Sequence, residues 1–104
     1  MIVQFKNVYL EKLFGGQVVS GKPRYSGEVI TKFKKTVLKL KMAESIRDIK
    51  HQKGLNFEGL RGNLKGLYSV RVDYNYRLIL GVDKDESIII AEVLTIHELS
   101  NHYQ

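Results

Sequence analysis

Acid–base and cationic side chains concentrate between residues 58 and 80 and again near residue 100. The set comprises Glu58, Arg61, Lys65, Arg71, Arg77, His97, His102 and Tyr103. A carboxylate, guanidinium groups and an imidazole or a phenol can together cleave an RNA phosphodiester without a metal ion. The base takes the proton of the 2′-hydroxyl, a cation stabilises the charge on the pentavalent phosphorane, and the acid protonates the leaving oxygen.

A metal site is the alternative interpretation of His97, His102 and Glu58. These residues lack a third close ligand and a fixed spacing motif, which are typical of protein metal sites. The chain also contains no cysteine, so a thiolate-bound zinc ion is excluded. The sequence therefore predicts chemistry that uses neither a metal ion nor another cofactor.

Two of the arginines lie on predicted strands that form a hairpin. Apolar and polar residues alternate in "LYSVRV", residues 67–72, and in "YRLILGV", residues 76–82. If both strands turn their apolar residues towards one core, Val70 lies opposite Leu78, and a three-residue loop at 73–75 must join the strands. Arg71 and Arg77 then lie directly opposite each other, both on the face of the sheet that points away from the core.

Two arginines opposite each other repel and destabilise a sheet unless another group compensates for their charge. Asp73 or Glu92 could provide a carboxylate, or both guanidinium groups could lie in water. Alternatively, an anion from outside the chain binds between them, and the planar guanidinium group is suited to phosphate. We expect Arg77 to face solvent and to contribute little to packing.

The other segments predict how these side chains are positioned. Apolar spacing predicts a first strand, a short helix ended by Gly15, and a lysine-rich helix for which Ser26 is a candidate N-cap. A helical segment at 43–50, a turn at 83–86 and a central strand at 87–96 follow. This order predicts an α+β fold in which N-terminal helices pack on one face of a small twisted antiparallel sheet.

Basic residues are unevenly distributed along the chain. Residues 20–66 hold twelve Lys or Arg and four Asp or Glu, whereas residues 67–104 hold three and six. This asymmetry indicates a polyanionic partner such as nucleic acid, with Lys32, Lys35 and Lys39 on the basic helix as candidate contacts. A helix face that is merely solvated is the alternative.

The length of 104 residues predicts a single domain, 1–104. No apolar run approaches the roughly 18 residues that a membrane-spanning helix needs. The first ten residues are too short and too polar for the apolar region of a signal peptide. We therefore expect a cytoplasmic protein that has no membrane partner.

The stretch "GLRGNLKGLYSVRVDYNYRLIL", residues 59–80, resembles the central signature of the HigB branch of the RelE/ParE toxin superfamily. That signature joins a Leu-Lys/Arg-Gly-Asp/Asn segment, a Gly-aromatic-Ser-Ile/Val-Arg strand and an aromatic-Arg-hydrophobic strand. The resemblance extends from the opening "MIVQFKN" to the final strand and is most specific over residues 58–80. It implies a compact RelE/ParE-like domain of helices over a twisted antiparallel sheet.

The resemblance also implies the toxin of a type II toxin–antitoxin system, blocked by a helix-turn-helix antitoxin protein. Such a toxin is a ribosome-dependent endoribonuclease, or mRNA interferase, that cuts messenger RNA on the ribosome. By position, Glu58 corresponds to a general base, while Arg71 and Arg77 correspond to strand arginines that contact phosphate. Arg77 is the better candidate for transition-state stabilisation. Arg61 matches a basic residue of the family, and Lys65 is expected to contact the RNA backbone.

The general acid has two candidate positions in this resemblance. Some relatives end their last strand in a hydrophobic or aromatic residue followed by a functional histidine, which matches Ile96-His97. Others end in His-Tyr at the chain terminus, which matches His102-Tyr103. We somewhat favour His102 with Tyr103.

Two further functions are compatible with the same fold. One is a ParE-like toxin that inhibits DNA gyrase by binding, and the other is an RNA-binding relative that has lost catalysis. Glu58 together with a terminal His-Tyr pair favours the nuclease, because a protein that only binds needs no acid and no base.

Overall fold

The computed structural model describes residues 1–19, 21–85 and 91–101, with the backbone alone for residues 83–85 and 91–94. Its elements are β1 (Ile2–Phe5), α1 (Val8–Phe14), α2 (Gly27–Met42), α3 (Ile46–His51), β2 (Glu58–Gly59), β3 (Tyr68–Arg71), β4 (Arg77–Asp85) and β5 (Ala91–Ser100). Two 3₁₀ turns, Lys53–Leu55 and Gly62–Leu64, flank β2. The predicted α+β fold is confirmed.

The helices begin at short polar side chains that accept a hydrogen bond from the backbone three residues later. Asn7 begins α1, Ser26 begins α2 and Ser45 begins α3, with bonds of 3.1, 3.2 and 3.4 Å. Each bond satisfies one backbone N–H group that has no partner within the helix. The predicted N-cap at Ser26 is thus confirmed. Among the described residues, no helix is long and apolar enough to cross a membrane.

The sheet has the strand order β1-β5-β4-β3-β2. β5 pairs in parallel with β1, whereas the other pairs are antiparallel. The sheet is therefore mixed, because β1 departs from the antiparallel arrangement that the sequence predicted. β4 extends through Asp85, so the turn predicted at 83–86 is wrong for residues 83–85, and residue 86 lies outside the described residues. These residues pair with the start of β5, and β5 is an interior strand as predicted, because it pairs with β4 on one side and β1 on the other. The strand predicted at 87–96 continues to Ser100, and residues 87–90 lie outside the described residues.

The predicted hairpin register is confirmed. Val70 lies opposite Leu78 and Arg71 lies opposite Arg77. Asp73 stabilises the loop between the strands, because its Oδ1 accepts hydrogen bonds from the backbone N–H groups of residues 75 and 76 at 2.8 and 2.7 Å. The loop length expected from strand parity is therefore the one that forms.

The helices pack on one face of the sheet only. The buried core joins helix and strand residues, among them Leu10, Phe33, Val37, Leu40, Ile49, Val70, Leu78, Leu80, Ile96 and Leu99. Because side chains alternate along a strand, Ser69, Arg77, Ile79 and Gly81 lie on the opposite face. We call this opposite face the site face.

Candidate active site

Arg77 is buried on the site face, where β4 begins. Its side chain is 3% exposed, and its Nε donates a hydrogen bond to Ser69 Oγ at 2.8 Å. Its Nη2 donates to the carbonyl oxygen of Asn56 and, at 3.4 Å, to that of Ser69. The expectation that Arg77 faces solvent and contributes little to packing is wrong. Protein oxygens replace water around the guanidinium group and make its burial possible.

Asn56 and Ser69 are the two site residues that sequence reasoning missed. Asn56 ends a 3₁₀ turn with φ at 44°, in the left-handed region that asparagine adopts more readily than most residues. Ser69 is fully buried in β3. The available signals were an asparagine after Gly-Leu in a helix-breaking segment and a small polar residue at a site-face position of a strand.

Glu58 lies beside Arg77 at the open edge of the site. β2 places it opposite Ser69, and its Oε2 is 3.9 Å from Arg77 Nη2. The Glu58 side chain is 52% exposed, so the carboxylate is next to the buried cation and still accessible to a substrate. Arg77 therefore has a carboxylate neighbour, but it is Glu58 and not Asp73. The other candidate, Glu92, lies outside the residues whose side chains are described.

Arg71 and Arg77 occupy different environments although they lie directly opposite each other. Arg71 is exposed, whereas the side chain of Arg77 extends from β4 to Ser69 on β3. The structure therefore brings Glu58 and Arg77 together and leaves Arg71 exposed on the open side of the site. This separation reduces the repulsion expected between like charges on adjacent strands.

The other basic candidates lie farther from this centre. Arg61 and Lys65 are exposed at the ends of the 3₁₀ turn Gly62–Leu64, in the loop that joins β2 to β3. The loop lies beyond Leu67, whose carbonyl oxygen accepts a hydrogen bond from the N–H group of Leu60 at 2.9 Å. It is thus at the end of β3 opposite to Arg71.

Lys32, Lys35 and Lys39 are exposed on α2. Lys32 Nζ lies 3.2 Å from the carboxylate of Glu28, one turn earlier. Because α2 packs on the core face of the sheet, these lysines are separated from the site face by the sheet itself. The structure does not bring them to Glu58.

β5 contains a β-bulge at His97. The register passes from Glu98, opposite Ile79, to Ile96, opposite Leu80, and skips His97. The His97 imidazole lies against Gly81 of β4, on the site face, and is half-buried. A bulge changes the direction of a side chain, and here it places His97 on the same face as Arg77.

His102 and Tyr103 lie outside the described residues. Ser100, two residues before His102 in the sequence, pairs with Arg77 in the β4–β5 ladder. Among the residues that the structure describes, no group of three or more histidine, aspartate and glutamate side chains could hold a metal ion.

A tyrosine cluster lies at the Arg77 end of β4. Tyr25 donates a hydrogen bond to the carbonyl oxygen of Leu99 at 2.9 Å and contacts the ring of Tyr76 edge-on, with 5.6 Å between centroids. Burial raises the pKa of the Tyr25 hydroxyl above its ordinary value of 10.0, and the charge of Glu98 raises it further. Through these contacts of Tyr25, the loop before α2 packs against the sheet.

Comparisons with known proteins agree with this architecture. The chain is similar to the YoeB/ParE toxin from Agrobacterium tumefaciens, with 19% identity, a TM-score of 0.55, and coverage of 99% of this chain and 100% of that one. It is also similar to a chain of the YoeB-YefM complex from Staphylococcus aureus, with 20% identity, a TM-score of 0.52, and coverage of 99% and 98%. At these identities the likeness shows the fold.

The comparison with curated proteins found no match. The family model of the RelE-like toxin of the type II toxin–antitoxin system HigB, however, matches residues 3–97, which is most of the chain. The protein therefore belongs to the HigB-like family of RelE-like type II toxins.

Proposed function

We propose that this toxin is a ribosome-dependent endoribonuclease that cleaves messenger RNA by metal-independent acid–base chemistry. The observation that carries the proposal is the position of Glu58, half-exposed and 3.9 Å from the buried guanidinium group of Arg77. A carboxylate held beside a fixed cation and open to solvent is suited to act as a general base. A toxin that only binds DNA gyrase has no need of this arrangement.

In the proposed reaction, Glu58 takes the proton of the 2′-hydroxyl of the RNA. The 2′-oxygen bonds to phosphorus, the bond from phosphorus to the 5′-oxygen breaks, and an acid protonates the departing 5′-oxygen. Arg77 positions Glu58 and supplies a fixed positive charge behind it, which stabilises negative charge on the phosphorane. Arg71, on the open side, contacts the phosphate. The acid is His97 or His102 with Tyr103.

The remaining basic residues contact RNA outside the reacting phosphate. We expect the exposed loop that carries Arg61 and Lys65 to bind the backbone of the messenger. Lys32, Lys35 and Lys39, on the other side of the sheet, would contact ribosomal RNA. These phosphate contacts position the toxin without reading sequence.

We further propose that a helix-turn-helix antitoxin protein binds this toxin and blocks it in the cytoplasm. Membership of the toxin family supports an antitoxin partner, and the Staphylococcus aureus relative is a chain of a YoeB-YefM complex.

Mapping of transcript 5′ ends after induction in cells tests the proposal. Codon-phased cuts within translated regions are expected for wild type and should be absent for Glu58→Gln, while Tyr74→Phe, at an exposed loop position, should cut normally. A DNA damage response without cuts would support gyrase inhibition instead. Normal growth without any antitoxin would indicate an inactive RNA-binding relative.

A further inference from the structure

The bulge in β5 allows two apolar side chains of this strand to lie on the same face of the sheet. Ile96 and Leu99 are both buried in the core, although residues three apart in a regular strand point to opposite faces. The extra residue at His97 removes this conflict. It keeps both apolar side chains in the core and turns His97 towards the site face.

Gly81 provides the space that the imidazole occupies. A Cβ atom built on Gly81 would lie 2.9 Å from Nε2 of His97, which is closer than real Cβ atoms approach, and 3.6 Å from its Cδ2. Gly81 does not have a positive φ, so the position requires a glycine for space and not for backbone conformation. Leu67 borders the same space, with its Cδ2 at 3.8 Å from that Cβ atom. The imidazole thus lies against the backbone of β4 at Gly81.

The imidazole and the Glu58 carboxylate approach the site from opposite sides. His97 comes from β5 and lies over β4, whereas Glu58 is on β2, and the strand order is β5-β4-β3-β2. The Arg77 guanidinium group, bonded to Ser69 of β3, lies between them. In-line attack on phosphorus requires the base and the acid on opposite sides of the phosphate, and the strand order puts Glu58 and His97 on opposite sides of the Arg77 guanidinium group.

We infer that Gly81 is a positioning residue, which holds the His97 imidazole on the leaving-group side of the site. This inference rests on the proposed function and extends it by assigning the acid to His97. The imidazolium gives its proton to the 5′-oxygen as the bond from phosphorus to that oxygen breaks. A side chain at residue 81 displaces the imidazole and slows this step while the base and Arg77 remain in place.

The test measures single-turnover cleavage of messenger RNA bound to ribosomes, with an oxygen or a sulfur atom at the 5′ leaving position. A sulfur atom leaves without protonation and so removes the need for an acid. We expect Gly81→Ala to slow cleavage of the oxygen substrate at least tenfold and His97→Ala about a hundredfold, in line with the loss of a general acid. Both variants should cleave the sulfur substrate at a rate close to that of wild type.

Two controls separate positioning from damage to the fold. Gly27→Ala makes the same chemical change at an open helix position and should cleave both substrates normally. The double variant Gly81→Ala/His97→Ala should cleave the oxygen substrate no more slowly than His97→Ala alone, because Gly81 acts only through the imidazole. A double variant that is slower than His97→Ala, or a sulfur substrate that does not restore Gly81→Ala, would overturn the inference.

Glu58→Gln distinguishes this inference from the proposed function. Glu58→Gln should be slow with both substrates, since a base is needed whatever atom leaves. If Glu58→Gln is slow while His97→Ala and Gly81→Ala are not, the nuclease assignment stands and the acid is elsewhere. If Glu58→Gln cleaves the oxygen substrate normally, the proposed site itself is wrong.

Discussion

Two regions of this toxin hold their cations in different ways. On the site face, Arg77 is almost fully buried and its guanidinium group is fixed by Ser69 and Asn56. On the outer surface of α2, Lys35 and Lys39 are exposed to solvent. In the first region the charge has a defined geometry, and in the second several charges are exposed to solvent.

This difference corresponds to two roles that a positive charge can have. A charge that stabilises a transition state must already be in place when the reaction occurs, which requires burial and fixed hydrogen bonds. A charge that attracts a polyanion acts at longer range and needs no fixed position. We therefore expect substitutions on the site face to change the free energy of unfolding and the cleavage rate. Substitutions on α2 should instead change the association with ribosomes.

The largest effect is expected for Arg77→Ala. Removal of the guanidinium group leaves the buried Ser69 hydroxyl and the Asn56 carbonyl without this donor, and each such loss costs about 1–3 kcal/mol. The free energy of unfolding should fall by about 3 kcal/mol, measured by urea unfolding. Loss of toxicity in this variant would thus reflect weaker folding as well as lost chemistry.

Arg71→Ala is the matched control, since it removes the opposite arginine of the same ladder. Because Arg71 is exposed, the unfolding free energy of Arg71→Ala should stay within about 0.5 kcal/mol of that of wild type. Equal urea midpoints for the two variants would contradict the structural role of Arg77.

Glu58→Gln should change chemistry with little change in stability. The side chain is half-exposed, and a glutamine of similar shape keeps a polar oxygen near Arg77. Loss of a general base should lower the cleavage rate by about 10²–10⁴-fold, measured in single-turnover reactions at saturating ribosome concentration. A large drop in the unfolding midpoint would instead mean that the Glu58–Arg77 pair is mainly structural.

The sequence predicted the hairpin well because strand parity has few solutions. With Val70 opposite Leu78 on one face, only a loop with an odd number of residues keeps both strands in register. Arg71 then necessarily lies opposite Arg77. The N-cap at Ser26 was predictable for a similar reason, since its hydrogen bond is local. Local patterns thus determined the elements and the faces on which their residues lie.

The burial of Arg77 was not predictable from such patterns. It depends on the carbonyl oxygen of Asn56, 21 residues earlier, and on the exact path of the chain into β2. The polar stretch at 83–85 was also misleading, because its composition is typical of a turn while its pairing with β5 makes it a strand. Tertiary contacts decided both cases.

Replacement of Lys32, Lys35 and Lys39 by glutamine tests the second region. Cleavage by the preformed ribosome complex should be unchanged, while association with ribosomes should slow by up to about tenfold at low salt. The logarithm of the binding constant should depend less steeply on the logarithm of salt concentration, by about 0.7 for each lost phosphate contact. An unchanged salt dependence would show that this surface is only solvated.

The smallest effect is expected for Tyr25→Phe, which removes the hydrogen bond to the Leu99 carbonyl oxygen and should cost about 1 kcal/mol at neutral pH. The pKa of Tyr25 is raised in the folded protein, so the neutral hydroxyl is favoured there, and this contribution is fully present below pH 10.0 and decreases as pH rises above it. The stability difference between wild type and Tyr25→Phe should therefore shrink as the pH rises above 10.0. Tyr74→Phe, at a side chain that is 96% exposed, should leave the free energy of unfolding unchanged at neutral pH, and a stability difference for Tyr25→Phe that stays constant above pH 10.0 would contradict the assignment.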